Sequence, residues 1–191
     1  MEQLGTVVRL QVQRSRLKPG ARDVRVYDPT PLLEVDALDV GPRGVVGVTD
    51  AGPVLDVHHA DHPDSRHRGV NGLSLLPRAH YATLRGHFGD HLVDGAAAES
   101  LLLETDRAWT LDDLAGPLRL ETAAGGLLEL TAPAVAAPCL EFSRFCLGRG
   151  REPDDQALRS ALEQLGGGAR GFYVTPSGSA RIERGARLLR G

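Results

Sequence analysis

The stretch Gly-Thr-Val-Val-Arg-Leu-Gln-Val-Gln at residues 5–13 alternates apolar and polar side chains over most of its length. Successive side chains of an extended chain point to opposite faces, so this alternation predicts a β-strand with one buried face. Similar short segments, separated by Gly and Pro, recur along the chain. Further strands are predicted over residues 24–27, 32–40, 44–48, 101–104, 117–121, 127–131, 171–175 and 186–189.

Two helices are predicted between these strands. Ser74 could cap the first, Pro77 fits its first turn, and Gly89 would end it. The second covers residues 154–165 and stops at the three glycines 166–168. Many short strands with few helices predict an α+β, mainly β fold, a β-barrel with a few helices, and we expect residues 1–191 to form a single domain.

Composition narrows the classes of function. The net charge of -3 argues against a nucleic-acid partner and against binding to an anionic membrane surface. No apolar run approaches the roughly 20 residues that span a bilayer. The N-terminal residues lack the basic flank and apolar stretch of a secretory signal, so we expect a cytoplasmic location.

The chain has two cysteines, too few for a disulfide framework. Cys139 follows Ala-Ala-Pro, and the proline could hold its sulfur in one direction. A thiolate is both a strong nucleophile and a soft metal ligand. The alternative is a buried packing side chain, since free cysteines are commonly buried. Cys146 is not in a CxxC pair; a disulfide or a resolving thiol remains open, and packing beside Phe145 is favoured.

All seven histidines lie between His58 and His91, four of them in a predicted loop over residues 49–72 that also carries several aspartates. Imidazole and carboxylate together suit zinc or iron, although the spacing matches no named metal motif. A solvated polar loop is the alternative. His80 and His87 fall on the first helix, where we expect them to be partly buried.

Three arginines could bind a phosphate group, because a guanidinium fork holds phosphate with two hydrogen bonds. They are Arg66 and Arg68, where the loop meets the first helix, and Arg144, five residues after Cys139. Each could equally be a surface arginine. Glu99 could accept hydrogen bonds from backbone amides and orient a loop, or lie in a Gly95-containing turn without chemistry.

Four stretches, in order, resemble the MOSC domain, the family named for the C-terminal part of molybdenum-cofactor sulfurases. The segment 68–81 resembles its Arg-x-Val-Ser-Leu-Leu run and helix, and 94–101 its Pro-Gly-x-x-Gly-Glu-Asn-Leu motif. The segment 127–139 resembles the strand leading to its Pro-Cys, and 168–185 its closing Gly-x-Arg-Gly strand and Ile-x-x-Gly-Asp turn. The family's Gly-Asp-Arg-His is absent, and Ala98, Ser100 and Ala186 replace its Gly, Asn and Asp.

The resemblance implies a MOSC-like β-barrel in which Cys139 is the family cysteine. In members studied as enzymes this cysteine ligates the molybdenum of a pterin cofactor, molybdopterin, and the protein reduces N-hydroxylated compounds. A sulfur-carrier role is proposed for other members. By this resemblance Cys139 is the catalytic residue and metal ligand, while Arg66, Arg68, Glu99 and Arg144 would hold the cofactor.

Three functions follow as hypotheses. The chain could be an enzyme with a molybdenum cofactor, a sulfur-transfer protein with a small-molecule or protein partner, or a non-catalytic binding domain on the same scaffold. A zinc-dependent hydrolase built on the histidine loop is a fourth. The sequence leaves the substrate and the oligomeric state open.

Overall fold

Twelve β-strands and three α-helices form the regular structure of residues 1–21, 25–70, 72–148 and 154–191, the part of the chain that the computed structural model describes. The strands are β1 (Glu2–Gln13), β2 (Leu32–Glu34), β3 (Ala37–Gly41), β4 (Gly44–Thr49), β5 (Gly52–Leu55), β6 (Leu73–Pro77), β7 (Leu101–Glu104), β8 (Leu118–Glu121), β9 (Leu127–Val135), β10 (Phe172–Pro176), β11 (Ala180–Glu183) and β12 (Arg187–Arg190). The helices are α1 (Arg78–Phe88), α2 (Leu140–Cys146) and α3 (Asp155–Gln164), with a 3₁₀ helix at Leu111–Leu114.

Seven strands close into a barrel. They hydrogen-bond in the order β1, β12, β8, β9, β10, β6 and β7, and β7 pairs with β1 again. All neighbours run antiparallel except β6 and β7. Closure leaves no unpaired edge within the ring. The prediction of an α+β, mainly β barrel with a few helices is therefore confirmed.

Apolar side chains fill the barrel. Val7, Leu10, Leu101, Phe172 and Leu188 come from four different strands, and each is at most 1% exposed. A smaller antiparallel sheet, in the order β11, β3, β4 and β5, packs its apolar side chains against the same cluster. Both sheets are therefore stabilised by one shared core.

Strands β6 and β7 are apolar on both faces. Leu75 and Leu101 point into the barrel, whereas Leu76 and Leu102 pack outside it with Tyr81 of α1. The outer cluster also contains residues of α2 and of the loops that follow α1 and α3. Because α1 covers the outer face, β6 has no polar alternation that would mark it as a strand.

The predicted start of the first helix is wrong for this reason. Ser74 lies inside β6, where its hydroxyl accepts a hydrogen bond from the Ser100 amide at 2.8 Å. Helix α1 begins at Arg78, with Pro77 as its cap, and it ends at Gly89 as predicted. The Asp154 side chain caps α3 by accepting a hydrogen bond from the backbone of Ala157.

Other boundaries differ locally. The predicted loop over residues 49–72 contains β5, and the predicted strand over 32–40 is split into β2 and β3. Residue 24 of the predicted strand 24–27 lies outside the described residues, and residues 25–27 are not in a strand. A turn containing Gly125 and Gly126 joins β8 to β9. No helix in the described ranges is both long enough and apolar enough to cross a membrane.

Candidate functional site

The site lies where β9 and β10 leave the barrel. The pair Val135 and Phe172 closes their ladder, and the Ala136 amide extends it by donating to the Gly171 carbonyl at 2.9 Å. The chain between these strands forms α2 and α3. Cys139, which follows Pro138, and Arg170, which precedes Gly171, are thus brought together at one end of the same ladder.

Cys139 is the cap residue of α2, with extended backbone angles φ -130° and ψ 155°. Its carbonyl accepts hydrogen bonds from the amide and hydroxyl of Ser143, both at 2.9 Å. The thiol is half-buried, and its Sγ accepts from Nη1 of Arg170 at 3.6 Å. The side chain packs partly against the outer apolar cluster and is partly exposed, and the catalytic role of Cys139 stays a prediction.

Arg170 is the cation of this site. Its Nη1 also donates to the Ala137 carbonyl at 3.3 Å, and its Cζ lies 4.7 Å from the ring centroid of Phe142. Its Nε is buried and makes no hydrogen bond within the described residues. The ring face and one carbonyl hold the guanidinium in place beside the sulfur, where it can stabilise a thiolate.

Glu141 and Lys18 form an ion pair next to the thiol. Their charged atoms, Oε2 and Nζ, are 3.3 Å apart. Partial burial acts to raise the pKa of Glu141, but its own backbone amide, Lys18 and a hydrogen bond from the Cys139 thiol together hold that pKa below its usual range. The carboxylate is therefore charged at neutral pH and accepts a hydrogen bond from the Cys139 thiol.

Cys146 is completely buried, as the packing prediction requires. Burial raises the pKa of its thiol to about 12, although Arg170 acts in the opposite direction. Seven residues along a helix span about 10 Å, whereas the Cα atoms of a disulfide are about 4.4–6.8 Å apart. A disulfide between Cys139 and Cys146 would require α2 to unwind.

Glu99 is buried in the loop before β7. Its carboxylate accepts from the Tyr81 hydroxyl at 3.0 and 3.1 Å and from the Gly95 amide at 3.1 Å. Burial raises the pKa of Glu99 to about 7. The expectation that it binds a backbone amide and orients a loop is met. Because these oxygens are engaged inside the protein, its role in holding a cofactor stays a prediction.

The three predicted phosphate-binding arginines lie in two places. Arg66 and Arg68 are exposed in the segment after β5, and the Arg66 amide donates to the Val57 carbonyl at 2.8 Å. Arg144 is half-buried on α2, the helix that Cys139 begins. Arg144 alone of the three shares an element with the thiol, and phosphate binding by all three stays a prediction.

The histidine loop is held by local hydrogen bonds. Nδ1 of His58 lies 2.8 Å from the Asp56 carboxylate, and Nδ1 of His62 accepts from the Asp64 amide at 3.0 Å. His59 is buried and accepts from a backbone amide in the same way. Within the described residues, no three His, Cys, Asp or Glu side chains are arranged to hold a metal ion. The structure thus favours the polar-loop interpretation over the zinc one.

The two helix histidines differ. His80 is buried, accepts from the Trp109 amide at 2.8 Å and lies 3.2 Å from the Ala169 carbonyl. Burial lowers its pKa, so it is a neutral structural side chain. His87 is exposed, and the expectation that it is partly buried is wrong because it faces away from the apolar side of α1.

Sequence reasoning missed three residues of the site: Arg170, Glu141 and Lys18. The Gly-Ala-Arg-Gly run at 168–171 was a signal for Arg170, because it resembles a motif of the family that also supplies the cysteine. Lys18 is the only lysine in the chain, which could have drawn attention to it. No local signal links either residue to Cys139, since the contacts form only in the folded barrel.

No model of a known protein family matches the sequence, and no curated protein is significantly similar to it. Solved structures do match. YuaD from Bacillus subtilis aligns with a TM-score of 0.59 and 12% identity, over 96% of this chain and 93% of that one. YiiM from Geobacillus stearothermophilus, a MOSC-domain protein, aligns with a TM-score of 0.54 and 19% identity, over 96% and 73% of the two chains. The fold is MOSC-like. Identities this low establish the fold and leave the activity open.

Proposed function

We propose that this protein carries sulfur on Cys139 as a sulfur-transfer protein. The observation that supports the proposal is the half-buried Cys139 thiol, whose Sγ lies 3.6 Å from the Arg170 guanidinium on a MOSC-like barrel. The Arg170 guanidinium places a positive charge beside the sulfur, and the Glu141 carboxylate, charged beside Lys18, accepts a hydrogen bond from the thiol. A sulfur carrier needs an accessible, reactive thiol of this kind and does not need additional metal ligands.

The transfer step is an exchange between sulfur atoms. The Cys139 thiolate attacks the outer sulfur of a donor, a new S–S bond forms, and the donor's own bond to that sulfur breaks as its leaving group departs with the electron pair. The product is a Cys139 persulfide. No external oxidant or reductant is consumed, because the transferred sulfur brings its oxidation state with it.

Mass spectrometry tests this proposal. After incubation with polysulfide, we expect an adduct of about 32 Da, one sulfur atom, on Cys139 and none on the buried Cys146. Cys139→Ser should abolish the adduct while its unfolding transition stays within about 1 kcal/mol of wild type, because the site is half-buried. An unmodified Cys139 in folded protein would refute the proposal and favour the non-catalytic binding domain.

A molybdenum-cofactor enzyme is the second candidate, favoured by the MOSC-like fold together with one accessible soft ligand. Cys139 fits this group as a thiolate ligand, and Arg170, beside its sulfur, and Arg144, on the same helix, would hold its phosphate. When bound, the cofactor would supply oxygen-atom removal from N-hydroxylated compounds. Arg170 would bind and orient the acidic part of the ligand, and Phe142 would exclude water from that side.

Metal analysis separates the two candidates. Protein made in cells that synthesise the cofactor should contain molybdenum in proportion to protein if the second candidate is correct, and Cys139→Ser should lose it. Folded wild-type protein without molybdenum would refute this candidate and leave sulfur transfer to be judged by the persulfide assay.

A further inference from the structure

We propose that Arg170 is an anion-binding residue and that the sulfur donor of Cys139 is a small sulfur oxyanion of the thiosulfate type. This inference rests on the sulfur-transfer function proposed above and adds the class of substrate. It comes from the charge of Arg170, which has no carboxylate partner among the described residues.

Within the described residues, most arginines that form an ion pair are exposed on the surface. Arg181, for example, donates two hydrogen bonds of 2.8 Å to the Asp39 carboxylate on the surface. Arg170 differs because it is half-buried, and within the described residues it has no carboxylate partner and a buried Nε without a hydrogen bond. A guanidinium taken partly out of water is costly unless an anion accompanies it. A bound oxyanion would supply that negative charge beside the Cys139 sulfur.

The geometry puts this cation at the reacting atom. Nη1 lies 3.6 Å from the Cys139 sulfur, so an oxyanion group bonded to the attacked sulfur would lie within reach of the same guanidinium. The ring of Phe142, 4.7 Å from Cζ, covers one face of the fork and leaves its edge for hydrogen bonding. The nearby carboxylate of Glu141 is paired with Lys18 and therefore repels an incoming anion less.

With thiosulfate the step balances in atoms and charge. The Cys139 thiolate attacks the outer sulfur of thiosulfate and forms the persulfide S–S bond. The S–S bond of thiosulfate breaks, and sulfite leaves with the electron pair. Arg170 binds the sulfonate oxygens before attack and stabilises the charge that accumulates on them as sulfite departs.

Two alkylating agents measure the anion site without any sulfur chemistry. Iodoacetate is anionic and iodoacetamide is neutral, so the ratio of their rates at Cys139 cancels the intrinsic reactivity of the thiolate. We expect Arg170→Gln to lower this ratio roughly tenfold, because a hydrogen bond to a charged group is lost. Arg170→Lys should keep part of the ratio, and Arg181→Gln, which removes an exposed surface arginine, should leave it unchanged.

Sulfite release measures the donor. Wild-type protein should release sulfite from thiosulfate and gain the persulfide on Cys139. In single-turnover assays, Arg170→Gln should raise the apparent KM for thiosulfate roughly tenfold with a smaller effect on the limiting rate constant, and added guanidinium ion should restore part of the rate. Circular dichroism and thermal unfolding verify that each variant is folded.

The outcomes separate the inference from the function beneath it. Sulfuration of Cys139 by polysulfide, with no sulfite released from thiosulfate or with both ratio and KM unchanged in Arg170→Gln, would overturn the inference and leave sulfur transfer intact. Absence of sulfuration by either donor would overturn both. A lower alkylation ratio together with Arg170-dependent sulfite release supports the inference.

Discussion

Replacing Glu99 by glutamine should remove a pH-dependent loss of stability that the wild-type protein has. Glu99 is 3% exposed, and burial raises its pKa from 4.5 to about 7. In the unfolded chain the carboxyl ionises near its ordinary pKa. Between these two values the folded state holds a proton that the unfolded state has released, so stability is greatest at low pH and is lost as the pH rises through 7.

The structure sets the size of the effect. A tenfold change in proton affinity is worth about 1.4 kcal/mol, so the full rise corresponds to roughly 3 kcal/mol, most of which should appear between pH 5 and pH 8. Nearby groups moderate it. Arg9 and the hydrogen bonds from Tyr81 and Gly95 act to lower the pKa against the dominant effect of burial. Glutamine keeps the shape and most of the hydrogen bonds and does not ionise.

Urea unfolding at pH 5 and pH 8 provides the test. The difference in unfolding free energy between wild type and Glu99→Gln should change by roughly 2 to 3 kcal/mol between the two pH values, with the variant relatively more stable at pH 8. Glu163→Gln makes the same chemical change on an exposed helix position and is the matched control. Parallel pH profiles for wild type and Glu99→Gln would refute the reasoning.

Two further predictions concern backbone conformation. Gly171→Ala places a Cβ 2.5 Å from a backbone oxygen at φ 99°, so it should cost about 3 kcal/mol in urea unfolding, whereas Gly167→Ala, at φ 64° with no atom within 4 Å, should cost about 1 kcal/mol; equal losses would contradict this. Ala98 has φ 66°, which favours glycine, so Ala98→Gly should raise the unfolding free energy by about 0.5–1 kcal/mol. A decrease in that energy would show that the strain argument is wrong.

The barrel could be predicted because period-two alternation survives in strands with one solvent face, such as β1. The alternation pattern does not identify β6, because α1 covers the outer face of this strand. Both of its faces are therefore apolar, with Leu75 on the inner face and Leu76 on the outer one. The run 73–77 therefore resembled the beginning of the helix that follows it. Tertiary contact decided where strand ended and helix began.

The sequence could predict the cysteine of the candidate site but not its neighbours. Pro138 and Cys139 stand where the family cysteine is expected, whereas α2 was missed because Pro138 suggested the end of a strand and nothing beyond it. Arg170 is 31 residues from Cys139, and only the β9–β10 ladder makes them neighbours. Local patterns do not encode a contact of that separation.

Three residues of this chain differ from the MOSC motifs that its sequence resembles. Ala98 keeps a left-handed backbone where the family has Gly, and Ser100 replaces an Asn but bonds Ser74 across to β6. Ala186 is fully buried, so its side chain packs in the core. None of the three contacts the Cys139 sulfur, whose contacts come from Arg170 and Glu141. The contacts of the thiol therefore depend on the exit of β9 and β10, and the three replacements leave these contacts in place.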